Sequence, residues 1–353
     1  MGVPEKVPLK GPDDRGAKAL VRPGALVAAA ALLLTACSDD SPSVLRPSSE
    51  AAEKVEGLWW LTFWLSVVAV LVVTVFVFQA VRRSRAPAPE GEEGGIDKRP
   101  VVWGPKFIVI AGLVVSGVVL AGTFAVSLRA LNALAGPPED RELTVEVTAR
   151  NWWWEVRYPN GAVTANEIHI PEGRSVEVKL ATADVLHAFW VPELNVKQDH
   201  VPGMDNRIWL RAEEAGRYRG QCAEFCGLQH ARMAFYVDAQ PPAELEQWLA
   251  REGAPASSPA TPTATGGRDV FLGSSCAGCH TIRGTTAAGT FGPDLTHLAS
   301  RQTIGAGTLP LERETLAQFV RNAQDAKPGA SMPPTEITPQ ELSALVDYLM
   351  GLE

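Results

Sequence analysis

Several side chains that could bind a soft metal ion are concentrated near the middle of the chain. Two thiols, an imidazole and a thioether fall within residues 222–233, namely Cys222, Cys226, His230 and Met233. Thiolate and thioether ligands combined with imidazole favour copper over magnesium or calcium. A second imidazole, His187, stands about one strand upstream. A structural zinc ion held by two cysteines and two histidines fits the same spacing, so spacing alone leaves both metals open.

A second motif, Cys276-Ala-Gly-Cys279-His280, has the spacing of a c-type haem attachment site. Its two thiols would bind the haem vinyl groups, and the adjacent histidine would be the proximal iron ligand. The sixth ligand is expected on a downstream loop, where Met332 is the candidate. A thioether opposite a histidine raises the haem potential, which suits an electron relay. Met350, the other methionine of this segment, has the helical spacing of a core residue.

Alternating apolar and polar residues predict the elements that position the first group. Residues 143–149 and 175–180 alternate as half-buried strands do, and the Gly, Pro and Asn between such runs predict a β-sandwich or barrel to about Asp238. A short helix is predicted at 242–251, followed by a linker at 252–267 that has nothing to bury. The last segment is predicted to be mostly helical, with a capping box at Thr338 that begins a helix ending at Leu349.

Two apolar stretches, 58–81 and 107–128, are long enough to cross a bilayer. The basic residues Arg82, Arg83, Arg85, Lys98 and Arg99 lie between them. The positive-inside rule therefore places this loop in the cytoplasm and both chain ends outside. Residues 1–36 combine a basic region with a short apolar run, as a signal peptide does. The segment Leu34-Thr-Ala-Cys37 resembles a bacterial lipobox, which implies lipidation of Cys37. A plain signal peptide with an incidental cysteine is the alternative.

Composition limits the partners of the chain. A net charge of −8 argues against nucleic acid, because a phosphate backbone requires a basic face. An acidic protein suits a basic partner such as a small soluble cytochrome. All five cysteines fall inside these motifs, so none is left over for a structural disulfide.

Residues 150–233 resemble the copper-A domain of cytochrome c oxidase subunit II. The resemblance rests on four motifs: Asn151-Trp-Trp-Trp-Glu155, Asp184-Val-Leu-His187, Val201-Pro-Gly203 with Asn206, and Cys222-x-Glu-x-Cys226-x-x-x-His230-x-x-Met233. It implies a cupredoxin-like Greek-key barrel in which Cys222 and Cys226 bridge two coppers. The implied remaining ligands are His187, His230, Met233 and the backbone carbonyl of Glu224. The Glu224 side chain is implied to face the catalytic subunit and to help bind magnesium there.

The resemblance also assigns a role to Trp152, which occupies the position of the exposed tryptophan through which family members receive electrons. The alternative is a core or rim aromatic, but three consecutive tryptophans cannot all point inward on one strand. The other histidines, His169, His200 and His297, match no ligand position and are predicted to be surface or satisfied side chains. In the last segment, residues 267–271 resemble the entry helix of class I cytochromes c.

These features predict a multidomain protein: a lipoprotein signal peptide (1–36), a two-helix transmembrane hairpin (37–136), an all-β copper-A domain (137–251), a linker (252–267) and an all-α class I cytochrome c domain (268–353). The resemblance implies the electron-accepting subunit of a caa-type, proton-translocating cytochrome c oxidase in a bacterial cell membrane, with both soluble domains extracytoplasmic. Electrons would pass from haem c to copper A and then to subunit I, which reduces oxygen to water. Subunit III is a further expected partner, and a soluble or membrane cytochrome c or a bc-type complex is the expected donor.

The linker is expected to let the haem domain reach the face around Trp152 without permanent docking.

One departure from the family pattern concerns proton entry. Family members carry a glutamate three residues ahead of a tryptophan before the second span, whereas here Pro100 precedes Trp103. The expectation of a proton path through this subunit is weakened accordingly.

Three other functions share part of this pattern. Quinol oxidase subunits share the hairpin and the barrel but lack the cysteines, so Cys222 and Cys226 exclude them. A copper-A subunit of a nitric oxide reductase is an alternative of the same chemical class. A membrane-tethered copper-delivery protein is an alternative from another class, but it would need neither Met233, nor the tryptophan cluster, nor a haem.

Overall fold

In a computed structural model of the chain, the structure describes residues 41–84, 104–136, 138 and 141–353. The predictions for the signal peptide (1–36), for lipidation of Cys37 and for the departure at Pro100 lie outside the described residues.

Two long apolar helices contain the predicted membrane spans. Helix α1 (Glu50–Ser84) and helix α2 (Pro105–Ala135) include stretches with mean hydropathy of 2.7 and 2.4. None of either stretch is buried inside the protein, and such large apolar surfaces are unfavourable in water. Both helices are therefore long and apolar enough to cross a membrane.

Helix α1 is tied to the β-rich domain before its apolar run begins. The Ser49 hydroxyl caps the helix by accepting from Ala52 N at 3.0 Å, and it donates to the Leu194 carbonyl at 2.5 Å. Next to it, Ser48 N donates to Glu193 O at 2.8 Å. These bonds hold the first turn of the helix against the β-rich domain.

The β-rich domain consists of two five-stranded sheets. One has the strand order β3-β2-β1-β5-β8 and the other β4-β10-β9-β6-β7. The pairs β1–β5 and β4–β10 are parallel and the others are antiparallel, as in Greek-key connections. The predicted strands are confirmed as β1 and β5. The strands are β1 (Arg141–Arg150), β2 (Trp153–Arg157), β3 (Val163–Ala165), β4 (Glu167–Pro171), β5 (Ser175–Thr182), β6 (His187–Trp190), β7 (Gln198–His200), β8 (Asn206–Leu210), β9 (Gly216–Cys222) and β10 (Ala234–Gln240).

The core between the sheets follows the alternation seen in the sequence. Alternate aliphatic residues of β1 and β5 are fully buried, namely Val145, Val147, Ala149, Val176, Val178 and Leu180. At one end of the core, Trp154 packs edge-on against Phe235, with ring centroids 5.0 Å apart, and against His187 at 6.1 Å. A rigid aromatic layer therefore lies directly beneath a predicted metal ligand.

The C-terminal domain is mainly helical, as predicted. Its capping box is confirmed, because the Thr338 hydroxyl accepts from Glu341 N at 3.2 Å and the Glu341 carboxylate accepts from Thr338 N at 2.8 Å. A helix that ends the copper domain precedes it. The elements are α3 (Pro242–Gly253), α4 (Pro262–Gly273), α5 (Cys276–Cys279), β11 (Thr303–Ile304), β12 (Leu309–Pro310), α6 (Arg313–Arg321), α7 (Ala323–Ala326) and α8 (Pro339–Leu349).

The linker predicted at 252–267 is wrong at both ends. Glu252 is buried inside α3, and its carboxylate accepts from the Ser300 hydroxyl at 2.7 Å. Helix α4 already begins at Pro262, capped by Thr261, whose hydroxyl accepts from Ala264 N at 3.1 Å. Only residues 254–261 connect the two helices. The polar composition concealed a helix whose start is set by a cap followed by proline at the first position.

Gly267 sets how closely α4 packs on α8. A Cβ at this position would lie 1.9 Å from the carbonyl oxygen of Ala344 on α8, whereas a Cβ at Gly266 would meet nothing within 4 Å. We expect Gly267→Ala to lower the unfolding free energy of the helical domain by about 2 kcal/mol or more, because two backbones must separate. Gly266→Ala is the matched control and should stabilise by up to about 1 kcal/mol through helix propensity. Thermal unfolding of the full chain measures both. Equal stability of the two variants would contradict this packing.

Candidate copper and haem sites

The predicted copper ligands converge at one end of the β-rich domain. Cys222 Sγ lies 3.7 Å from Cys226 Sγ, 3.8 Å from His187 Nδ1 and 3.1 Å from the backbone oxygen of Glu224. On the other side of the pair, Cys226 Sγ lies 3.7 Å from His230 Nδ1 and 3.8 Å from Met233 Sδ. All six predicted donor groups are thus brought together.

The donor set has two similar halves. Each thiol has one imidazole and one further donor beside it, a carbonyl oxygen at Cys222 and a thioether at Cys226. A single tetrahedral zinc ion would use only the thiols and imidazoles, leaving the carbonyl and the thioether without a function. The arrangement therefore fits two soft metal ions that share the thiols better than it fits one zinc ion.

The end of β9 and a short loop hold these groups. Cys222 N donates to Met233 O at 2.9 Å and closes the loop where β9 passes into β10. Inside the loop, Gly227 has a φ of +112°, which favours glycine, and the turn continues into a 3₁₀ turn at His230–Arg232. His187 enters from the first residue of the neighbouring strand β6. Two sheet strands and one short loop therefore fix the whole set.

The two thiols differ in acidity because they touch. Contact with Cys226, helped by the His187 imidazole, lowers the pKa of Cys222 to about 3. The same contact, together with burial, raises the pKa of Cys226, since two adjacent thiolates repel. The metal-free pair therefore retains one proton, which metal binding must release.

Asp184 orients the imidazole of His187, a role that sequence analysis missed. One carboxylate oxygen of Asp184 lies 2.8 Å from His187 Nε2, and the other accepts from Asn151 N at 2.7 Å. Burial opposes a charged imidazole, but contacts with Cys222 and Asp184 together raise the pKa of His187. With Nε2–H donating to the carboxylate, the Nδ1 lone pair is directed to the thiol side. Asp184 belongs to a motif that the sequence analysis quoted, so its position was visible although its function was not.

A cavity of about 480 Å³ includes His280 and Met332 in its lining, and its size suits a bound cofactor. His280 Nδ1 lies 2.8 Å from Pro293 O, so Nδ1–H donates and Nε2 keeps its lone pair. Burial lowers the pKa of His280, which keeps the imidazole neutral. Cys279 also lines the cavity, and the half-buried Cys276 packs on the helical core beside it.

Two further features of the cavity fit a haem. Gly292 lies against the imidazole, where a Cβ would come within 2.5 Å of His280 Cε1. Arg301 is buried and lines the cavity, and its Nε has no hydrogen-bond partner among the described residues. A buried guanidinium with an unused donor suits an anionic group such as a haem carboxylate.

The loop that carries Met332 is fixed by Gln324. The Gln324 amide donates to Ala330 O at 2.6 Å and to Met332 O at 2.9 Å, and its oxygen accepts from Gly329 N at 2.8 Å. Met350, in contrast, packs on the helical core and is not part of the cavity lining. Met350 thus has the core position that its helical spacing predicted, and the role of Met332 as an iron ligand stays a prediction.

The haem domain is docked on the copper domain, so the expectation of an undocked domain on a flexible linker is wrong. Part of the cavity wall belongs to the copper domain: Arg150, Asn151, Trp152, Trp153, Asn166, Ala183 and Asp184. Hydrogen bonds cross the boundary, including Ala234 N to Ala306 O at 3.1 Å and Gln302 N to the Glu167 carboxylate at 3.0 Å. Such contacts join residues far apart in sequence, which composition does not reveal.

Trp152 touches both sites. Its indole Nε1 donates to the backbone oxygen of Cys226 at 2.9 Å, and the same half-buried residue lines the haem cavity. Trp154, two residues later, is fully buried in the core. The prediction that the three consecutive tryptophans cannot all point inward is therefore confirmed.

The structure also shows the surroundings of the three remaining histidines and of Glu224. His169, His200 and His297 are all buried, so of the two predicted alternatives, surface or satisfied, the surface position does not apply. His169 and His297 have hydrogen-bond partners, as does His200 Nδ1, whereas His200 Nε2 has none among the described residues. The Glu224 carboxylate lies 3.3 Å from Lys197 Nζ. Its magnesium role stays a prediction.

Comparison with known proteins identifies the family. The family model described as "Cytochrome C oxidase subunit II, periplasmic domain" matches residues 161–240, and the family model described as "Cytochrome c" matches residues 264–353. The chain is 32% identical over 330 residues to cytochrome c oxidase subunit 2 of Alkalihalophilus pseudofirmus, which covers 91% of this chain and 94% of that protein. The chain belongs to the cytochrome c oxidase subunit II family. The Bacillus subtilis protein of the same description is 31% identical over 351 residues, covering 93% of this chain and 96% of its own.

As a subunit II with a cytochrome c domain, the protein is part of a haem–copper terminal oxidase, with copper A and haem c as its cofactors. It is a membrane protein with extracytoplasmic domains, and subunit I is its partner in the complex. A more distant similarity is to quinol oxidase subunit 2 of Bacillus spizizenii, 28% identical over 224 residues, covering 62% of this chain and 68% of that one.

Proposed function

We propose that this subunit relays electrons from its own covalently bound haem c, by way of Trp152, to a binuclear copper-A centre and on to subunit I for the reduction of oxygen to water. The observation that carries the proposal is the position of Trp152, which lines the haem cavity and hydrogen-bonds to the backbone of Cys226. When bound, the haem and the copper pair supply reversible one-electron redox chemistry.

In the copper domain, Cys222 and Cys226 would both hold the copper pair. The implied outer ligands are His187, His230, Met233 and the Glu224 carbonyl. The thiols, His187 and Met233 are buried against the aromatic core, which keeps water from the site. The rigid strands and loop around them would hold one ligand geometry in both oxidation states. Quinol oxidase subunits lack the paired thiols, so the thiol pair favours a cytochrome c oxidase.

In the haem domain, Cys276 and Cys279 would bind the haem covalently, and His280 and Met332 would bind its iron. The hydrogen bond from His280 to Pro293 O fixes the ring and leaves Nε2 for iron. Gln324 holds the Met332 loop through three backbone contacts. These contacts keep His280 and Met332 on the cavity wall.

The docked haem domain also restricts the external donor. Because Trp152 faces the haem cavity of the same chain, a soluble cytochrome c or a bc-type complex would deliver electrons to the haem and not directly to Trp152. Subunit III as a further partner and a lipid anchor at Cys37 complete the proposed assembly.

Replacing Trp152 tests the proposed route. Trp152→Ala should slow internal reduction of copper by the haem by about tenfold or more, because it removes the ring that adjoins both sites. Trp152→Phe keeps a ring but loses the hydrogen bond to Cys226, so an intermediate rate is expected. Rapid photoreduction of the full-length protein, followed at haem and copper separately, measures these rates.

Trp248→Phe is the control, since Trp248 stacks on His169 away from both sites and should leave the rate unchanged. Haem and copper spectra establish that each variant is intact. A parent-like rate in Trp152→Ala with both spectra normal would remove Trp152 from the route.

A further inference from the structure

One buried lysine lies where the haem cavity, Trp152 and the copper-ligand loop meet. Lys327 is only 4% exposed and is part of the cavity lining. Its Nζ donates to the carbonyl oxygens of Trp152 at 2.9 Å, Arg232 at 2.8 Å and Gly305 at 3.1 Å. The first two carbonyls belong to the copper domain and the third belongs to the haem domain. A single side chain of the cavity lining therefore joins both domains beside Trp152 and the copper-ligand loop.

The three bonds match the three N–H groups of a protonated lysine. A neutral amine has only two, so three carbonyl acceptors favour the ammonium. Burial works in the opposite direction and lowers the pKa of Lys327 to about 7, and no carboxylate in the described part of the chain forms an ion pair with it. A buried cation without an anionic partner is unfavourable. An apolar side chain would deprive the three carbonyl oxygens of this donor, so the ammonium and the three segments that it joins depend on one another.

The bonded carbonyls belong to segments that carry both sites. Trp152 is held at its backbone by Lys327 and at its indole by Cys226 O. Arg232 directly precedes Met233, and its own guanidinium donates back to Ala326 O, next to Lys327. Gly305, with a φ of +62°, also lines the haem cavity. Fixing these three segments together fixes the spacing from haem cavity to copper ligands.

We propose that Lys327 is a positioning residue for the internal electron transfer, holding the haem cavity, Trp152 and the copper-ligand loop in one arrangement. This inference rests on the proposed function, because it requires electrons to pass between the two sites. Docking as such does not depend on Lys327 alone, since several other bonds cross the boundary. Its particular contribution is the alignment of Trp152.

Arg283 provides a matched control on the same boundary. It is also a cation of the haem domain that donates to backbone carbonyls across the boundary, including Gly161 O at 3.1 Å and Gly253 O at 3.3 Å. It contacts neither Trp152 nor the copper loop, and it is not part of the cavity lining. Loss of Arg283 should therefore weaken docking without disturbing the alignment of Trp152.

The experiment compares Lys327→Met, Arg283→Met, Trp152→Ala and the double variant Lys327→Met/Trp152→Ala in the full-length chain, loaded with copper and haem in detergent. Lys327→Met should slow internal copper reduction by about tenfold, a typical effect of a small misplacement of reacting groups. Its rate should also become dependent on solvent viscosity, because domain motion then limits the transfer. Arg283→Met should stay within about twofold of the parent rate. A broad-specificity protease should cleave the connecting residues 254–261 faster in Lys327→Met and in Arg283→Met than in the parent, because each variant loses bonds between the domains.

The double variant separates alignment from docking. If Lys327 acts through Trp152, the double variant should be no slower than Trp152→Ala alone. A parent-like rate in Lys327→Met, equal slowing in Arg283→Met, or additive slowing in the double variant would each overturn the proposal. Absence of fast internal transfer in the parent would instead overturn the proposed function, so the two failures are distinguishable.

Discussion

Cys226→Ser is expected to abolish the binuclear copper centre while leaving the haem domain intact. Cys226 Sγ is buried and lies within 3.8 Å of the second thiol, the His230 imidazole and the Met233 thioether. A hydroxyl is a poor bridge for soft copper, so one half of the donor set would lose its connection to the other. The mixed-valence copper resonance expected of this family should disappear, and the copper content per haem should fall.

Cys276→Ser is the reciprocal control, because it makes the same thiol-to-hydroxyl change in the other motif. It should impair covalent haem attachment and leave the copper resonance in place. Far-ultraviolet circular dichroism would verify that each variant is folded. Survival of the mixed-valence signal in Cys226→Ser would show that this thiol is not a bridging ligand.

Met332→Ala should leave the haem covalently attached but lower its reduction potential and open the iron to external ligands. The cavity wall would lose its only thioether among the described residues, whereas the attachment cysteines and His280 are unchanged. Carbon monoxide should therefore bind the reduced variant and not the parent. A redox titration of the same samples gives the potential.

Met350→Ala tests the specificity of that result. Met350 packs on the helical core, so its loss should reduce thermal stability without admitting carbon monoxide. If carbon monoxide bound Met350→Ala and not Met332→Ala, the axial ligand would be misassigned.

Local sequence signals predicted much of the fold and of both sites. The copper motif compresses four donor side chains into one strand end and one loop, so their convergence needs only that loop to close. The Thr338 capping box likewise specifies its helix start within four residues. The haem attachment motif, in which two cysteines stand close to His280, is a local pattern as well. In each case the residues that interact are near one another in the sequence.

Features that depend on distant contacts were not predictable from the sequence. Lys327 bonds to Trp152 across 175 positions, and Glu167 bonds to Gln302 across 135. No sequence motif marks either pair of residues. The composition of the segment between the two domains predicted a flexible linker. The start of helix α4 was missed because the polar residues before Gly267 have the composition of a linker, and the close packing of Gly267 on α8 joins residues that are distant in the sequence. Asp184 belongs to a motif that the sequence contains, but its role could not be predicted because it depends on the ring orientation of His187.

Whether electrons reach copper through the haem of the same chain is tested most directly by photoreducing the full-length protein over a wide range of protein concentrations. Haem reduction should come first, and copper reduction should follow as haem reoxidises, with a rate independent of protein concentration because the two domains are already docked. A copper reduction rate that rises in proportion to protein concentration, or copper reduction that precedes haem reduction, would contradict the internal relay.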